Sequence, residues 1–129
     1  MSSSAVLDEL RELIARHCVT VAGKSRELSS VLVKLSEPQV SLAQTVEAAI
    51  SLTHEIRGSA GSIGFSEVSS AATALENFLK TLRGLQTCAP AAALDEISCR
   101  LDALTEATAS LRPESSHLYN ADVSAMIRR

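Results

Sequence analysis

Residues 49–65 read Ala-Ile-Ser-Leu-Thr-His-Glu-Ile-Arg-Gly-Ser-Ala-Gly-Ser-Ile-Gly-Phe, and they carry both a helical pattern and an interruption of it. On a wheel of about 100° per residue, Leu42, Val46, Ala49, Thr53, Ile56, Ala60 and Ile63 fall on one narrow stripe. Their spacing alternates four and three, which marks a helix packed into a bundle. Gly58, Gly61 and Gly64 sit in the same segment. A glycine inside a helix costs about 1 kcal/mol relative to alanine, so the cluster needs a reason. His54 falls about a third of a turn from the middle of the stripe, on the solvent side. Glu47, Arg57, Gly58 and Gly61 share its face at helical spacings. The pattern therefore places one imidazole on a helix, with a cation one turn away and bare backbone beside it.

That arrangement suits an imidazole that another protein must reach. Glycines one and two turns further on remove side chains that would screen the ring. Arg57 can lie beside it and offer planar donors to an oxyanion or phosphoryl group. An imidazole with the ordinary pKa of about 6.5 is a competent nucleophile near pH 7. A lone surface histidine is usually just solvated; the glycines and the arginine tip the balance here.

The run His54-Glu55-Ile56-Arg57-Gly58-Ser59-Ala60-Gly61-Ser62-Ile63-Gly64 resembles the signature of histidine phosphotransfer (HPt) domains. That signature is a histidine, any residue, an aliphatic, Lys or Arg, Gly, small residues, then an aliphatic and Gly. The resemblance implies that His54 accepts a phosphoryl group from the aspartyl phosphate of a receiver domain and passes it to another receiver's aspartate. It implies partners among response-regulator receiver domains and a hybrid histidine kinase. It also implies a phosphocarrier rather than an autonomous kinase, with no cofactor of its own and magnesium on the receiver. Arg57 stands where the family usually has lysine, and Gly58 matches the glycine that clears space beside the ring. With Gly61 it would form the docking surface. Glu76, one helix later, lies in a region where the family often has a polar residue. Two alternatives stay open: a dimerisation and phosphoacceptor module derived from a sensor histidine kinase, and a helical interaction module that is never phosphorylated. The kinase helix often opens His-Glu-(Ile/Leu)-Arg too, but a Thr or Asn and then a proline follow. Here Gly58 and Ser59 occupy those places, and no proline follows until Pro90.

The 129 residues suit one domain with a real core. Ala and aliphatic residues are abundant, while aromatics number only two Phe and one Tyr. No alternating β-branched run is long enough for a sheet, so the chain reads as all-α. Net charge is −3 with scattered basic residues, which leaves no footprint for nucleic acid. No apolar run approaches the roughly 20 residues of a membrane span, and the N-terminus lacks the features of a signal peptide. A cytoplasmic protein is expected. Cys18, Cys88 and Cys99 are an odd, widely spaced set, better suited to reduced side chains than to a disulfide frame. A zinc site drawn from His17, Cys18 and the distant cysteines is not favoured, and no metal is expected.

In chain order, Ser4 is expected to cap the first helical segment, with Leu7, Leu10, Ile14, Cys18, Val21, Leu28, Leu32 and Leu35 facing inward; one long helix with a weak point at Gly23-Lys24 is favoured over two helices meeting there. Glu37-Pro38 ends it. Ser41 caps the His54 helix, and Gly64 supplies its left-handed stop. Ser66 caps a third helix with Val68, Ala72, Leu75, Leu79 and Leu82 buried. Gly84 and residues 87–90 turn into a fourth helix with Pro90 at its first position. Leu94, Ile97, Leu101, Leu104, Thr108 and Leu111 make its inner face, and Pro113 ends it. Short connections imply an antiparallel four-helix bundle over residues 1–112. Residues 113–129 form a tail, either a short helix folded back or a mobile segment, and a monomer is favoured over a dimer.

Overall fold

The computed structural model describes residues 3–37, 42–83, 90–116 and 119. Four helices account for most of them: α1 (Ser3–Val33), α2 (Leu42–Ser62), α3 (Ser66–Thr81) and α4 (Ala91–Ala109). No strand occurs among the described residues, and the all-α bundle expected from composition is what forms. Cross-helix pairs show the directions. Glu47 meets Arg83, His54 meets Glu76, and the backbone of Arg57 meets Ser69, so α2 descends as α3 climbs. Lys24 meets Glu55 and His17 meets Ser59, so α1 and α2 are also antiparallel.

The α2 stripe is buried at every expected position from Leu42 to Ile63. Thr53 is tolerated there because its hydroxyl donates back to the carbonyls of Ala49 and Ile50, both at 2.9 Å. In α1 the buried row is Ile14, Val21, Ser25, Leu28, Leu32 and, past the helix end, Leu35. Leu10 and Cys18 are half-buried beside it. Ser25 fills the step between Val21 and Leu28 that the apolar pattern left blank. Gly23 does not interrupt the helix, which already includes Ser3, one residue before the expected cap at Ser4. After a 3-10 turn at Lys34–Ser36, Glu37 is extended (φ −87°, ψ 123°), as a residue before proline prefers. Pro38 and Ser41 lie outside the described residues.

The α2–α3 turn is built around Gly64, whose φ of 84° is the left-handed conformation that glycine adopts without strain. Phe65 N–H donates to the Ala60 carbonyl (2.8 Å) and Gly64 N–H to the Gly61 carbonyl (3.4 Å), a Schellman closure with buried Phe65 as its apolar plug. This turn hands over directly to α3, so Phe65 occupies the N-cap position and Ser66, expected there, is the first helical residue. Glu67 stands in the first turn, where it favours the helix dipole. Val68, Ala72, Leu75, Leu79 and Leu82 are all buried. Pro90, expected at the first helical position, is instead the N-cap of α4, which begins one residue later at Ala91. Gly84 and residues 87–89 lie outside the described residues. Ile97 and Leu104 anchor α4, while Leu94, Leu101 and Leu111 pack at the rim of the core.

Beyond α4 the chain turns at Pro113–Ser115. Ser116 is buried and its hydroxyl donates to the Ile63 carbonyl at the foot of α2. Arg11 Nε donates to the Tyr119 carbonyl (3.0 Å), and its guanidinium stacks 4.5 Å from the Tyr119 ring centre. The beginning of the tail thus ties α1 to the α2–α3 turn. Residues 120–129 lie outside the described residues.

Candidate functional site

His54 stands on the outer face of α2 with 63% of its side chain exposed. Helical side chains lean towards the N-terminus, so a residue one turn later would cover the ring. That residue is Gly58, and no atom lies within 4 Å of where a Cβ there would stand. Towards the N-terminus Ser51, one turn back, is exposed and small, and Glu47, two turns back on the same face, is paired with Arg83. The ring is therefore approachable from solvent over Gly58 and Ser51.

The side of the ring facing α3 is held. His54 Nδ1 lies 3.2 Å from Oε2 of Glu76, a carboxylate only 1% exposed. Lys80 Nζ is 3.2 Å from the same oxygen. Arg57 Nε is 3.3 Å from Oε1, which makes no hydrogen bond, and Arg57 Nη2 is 2.9 Å from His54 Nδ1. Burial pushes the Glu76 carboxyl up. Hydrogen bonds from Lys80 and His54, with the charges of Arg57 and Lys80, outweigh it and hold the group below its usual range. An ionised carboxylate inside the α2–α3 seam thus gathers an imidazole, a guanidinium and an ammonium, the two cations remaining 36% and 44% exposed.

One nitrogen cannot serve both neighbours. Nδ1 donates to Glu76 only when it bears the proton, and accepts from Arg57 only when it does not. In the first tautomer the lone pair sits on Nε2; in the second Nε2 carries hydrogen. Glu76, held ionised and able only to accept, favours the first.

Of the residues singled out from sequence, His54, Arg57 and Glu76 come together around this carboxylate, and Gly58 opens the ring to solvent. Gly61 has a different setting. A Cβ on it would stand 3.2 Å from Ser69 Oγ, so its missing side chain lets α3 approach α2. Sequence reasoning missed Lys80 and Ser51. Lys80 was signalled by its four-residue spacing from Glu76; Ser51, one turn before His54, was signalled by the lean of the ring. A shallow depression of about 340 Å³ beside the imidazole is bordered by Glu47, Ile50, Ser51, Glu76, Lys80 and Arg83. His17 is half-buried, its Nδ1 3.3 Å from Ser59 Oγ, and holds α1 to α2. Among the described residues no three His, Cys, Asp or Glu side chains are grouped to hold a metal ion, and no helix is long and apolar enough to cross a membrane.

Fold and site together define a small helical module that displays one supported imidazole at its surface. Residues 2–112 match the family model of the Hpt domain, and the chain belongs to that family. Its members serve histidine phosphotransfer in two-component signalling and interact there with receiver domains and kinases. No curated protein and no solved structure matches the chain.

Proposed function

We propose that this protein relays a phosphoryl group between receiver-domain aspartates through His54. The observation that carries the reading is the solvent-open ring whose Nδ1 rests on the buried, ionised Glu76. With the proton on Nδ1, the Nε2 lone pair attacks the phosphorus of an aspartyl phosphate. The new N–P bond forms as the P–O bond to the aspartate breaks, and the carboxylate leaves. The phosphorylated ring retains its Nδ1 proton and is cationic, and Glu76 at 3.2 Å balances that charge. The same proton keeps the imidazole a good leaving group, so the next aspartate can take the phosphoryl group by the reverse step. Once Nδ1 bears hydrogen, Arg57 Nη2 loses its acceptor and can turn to the phosphoryl oxygens, and Lys80 stands on the other side of Glu76 for the same purpose. Transfer then rests on proximity and electrostatics, with the receiver bringing its own magnesium and needing no cofactor from this chain. The partner would dock over Ser51, His54, Gly58 and the exposed edge at Gly61 through an interface of transient size. Incubation with a phosphorylated receiver should transfer acid-labile, base-stable phosphate to the wild-type protein and none to His54→Gln. Labelling of His54→Gln at the wild-type rate would refute the assignment.

A further inference from the structure

Ionisable groups around His54 sort into two sets. Arg57, Glu76 and Lys80 meet at the ring. Glu47, Arg83, Lys24 and Glu55 pair with each other and are absent from that contact network. Arg83 grips Glu47 with both arms of its fork, Nε to Oε2 at 2.7 Å and Nη2 to Oε1 at 3.0 Å. Both side chains are about half exposed, at 52% and 55%. On the opposite flank Lys24 Nζ lies 2.8 Å from Glu55 Oε2. Glu47 precedes His54 by seven residues, about 10 Å along the helix axis, and with Arg83 it borders the depression beside the ring, where Arg83 also adds its charge to the surroundings of Glu76. Exposed ion pairs add little stability, so their position on either side of His54 calls for another account.

The two pairs share one polarity. In both, α2 supplies the carboxylate; the cation comes from α1 in one pair and, in the other, from Arg83 two residues past the end of α3. Read diagonally from α1 to α3, the face runs cation, anion, imidazole, anion, cation, over an α2 surface kept low by Ala48, Ser51 and Gly58. A partner that brings an aspartate to His54 must cover this row. An interface of about 800 Å² per side, taken as a disc, has a radius of about 16 Å, which encloses charges about 10 Å from its centre. Charges at such a rim govern encounter rate and the rejection of wrong partners more than affinity.

We propose that the Glu47–Arg83 and Lys24–Glu55 pairs select the receiver. They admit one that presents basic groups over α2 and acidic groups over Lys24 and Arg83, and they slow one with the reverse pattern. This rests on the phosphotransfer reading above. The test inverts the row without touching the ring: E47R/R83E rebuilds the first pair with opposite polarity, and K24E/E55K does so independently on the other flank. Rates of phosphoryl uptake are measured from a panel of phosphorylated receiver domains at low and high salt, and from phosphoramidate, a donor too small to touch the rim. The expected result is unchanged helicity and phosphoramidate labelling within about twofold of wild type. The rate from the preferred receiver falls tenfold or more, a difference that shrinks at high salt. Rates within twofold of wild type for every receiver overturn the proposal. So does a parallel loss of phosphoramidate labelling, or labelling of the wild type by phosphoramidate and by no receiver. A wild-type protein labelled by neither donor sinks the phosphotransfer reading itself.

Discussion

Glu76→Gln removes the charge at the centre of the site while keeping the shape of the side chain, so neither a cavity nor a clash accompanies it. The amide can still accept from Lys80 and from His54, but as a neutral partner. A hydrogen bond to a charged acceptor contributes about 1.5–3 kcal/mol and a neutral one about 0.5–1.5, so two such contacts lose roughly 2 kcal/mol. Part returns, because a buried carboxylate no longer has to be desolvated and the half-exposed cations recover water. The net loss at pH 7 is about 1–2 kcal/mol. Its pH dependence has a definite sign. The folded carboxyl titrates below its ordinary range, so its contribution is complete above the unfolded pKa of about 4.3 and disappears as pH falls through the folded value. Urea unfolding of both proteins between pH 7 and pH 3 should show the gap widest at neutrality and closing in acid. With a slope of about 1–2 kcal/mol per molar urea, the neutral midpoint shift is near 1 M. A variant as stable as wild type at pH 7, or a gap that persists undiminished to pH 3, would mean that Glu76 is not ionised in the folded protein. The Nδ1 proton would then have no anionic acceptor to hold it.

Gly58→Ala should raise stability by up to about 1 kcal/mol, because its Cβ meets only solvent, whereas Gly58→Leu should fold yet slow phosphoryl uptake from a receiver tenfold or more; equal rates would remove the access role. Gly61→Ala should be neutral or destabilising, since its Cβ presses on Ser69 Oγ, which donates to the Arg57 carbonyl. In a Ser69→Ala background, where the remaining contact is an ordinary 3.8 Å, the same change should stabilise by about 0.5–1 kcal/mol, and the double-mutant cycle reads that coupling directly. Ending the chain after Arg112 deletes the Ser116 bond to Ile63 and the Tyr119 contacts with Arg11. Thermal melting should fall by several degrees; an unchanged melt would show that the strap contributes nothing.

Much of this was legible before any coordinates. The four-three spacing from Leu42 to Ile63 marked a buried face that the bundle buries throughout, and Gly64 marked the left-handed turn. The misses have a common cause. A hydropathy pattern registers apolar positions, so Ser25 in the α1 row and Glu76 in the α3 seam were invisible as buried residues. Each is admitted by what surrounds it, and that is a property of the neighbouring helix. The cap expected at Ser66 failed for a related reason. A serine before an acidic residue is a sound local signal, but the Schellman closure on Ala60 had already placed Phe65 at the boundary.

Gly58 and Gly61 show most plainly where a helical wheel stops being informative. Both lie on the His54 face, one and two turns on, and both read from sequence as clearance for a visitor. The wheel angle tells which way a Cβ would point, and for both it points away from the α2 stripe. It cannot tell whether water or another helix waits there. At Gly58 nothing stands within 4 Å, so the missing side chain serves the ring; at Gly61 Ser69 does, so it serves the approach of α3. The second makes the first useful. The α2–α3 seam that Gly61 narrows is where Glu76 lies buried with its Oε2 3.2 Å from His54 Nδ1. A bare surface histidine would have access without orientation. Here one glycine supplies the access, and the other belongs to the close packing that orients the ring.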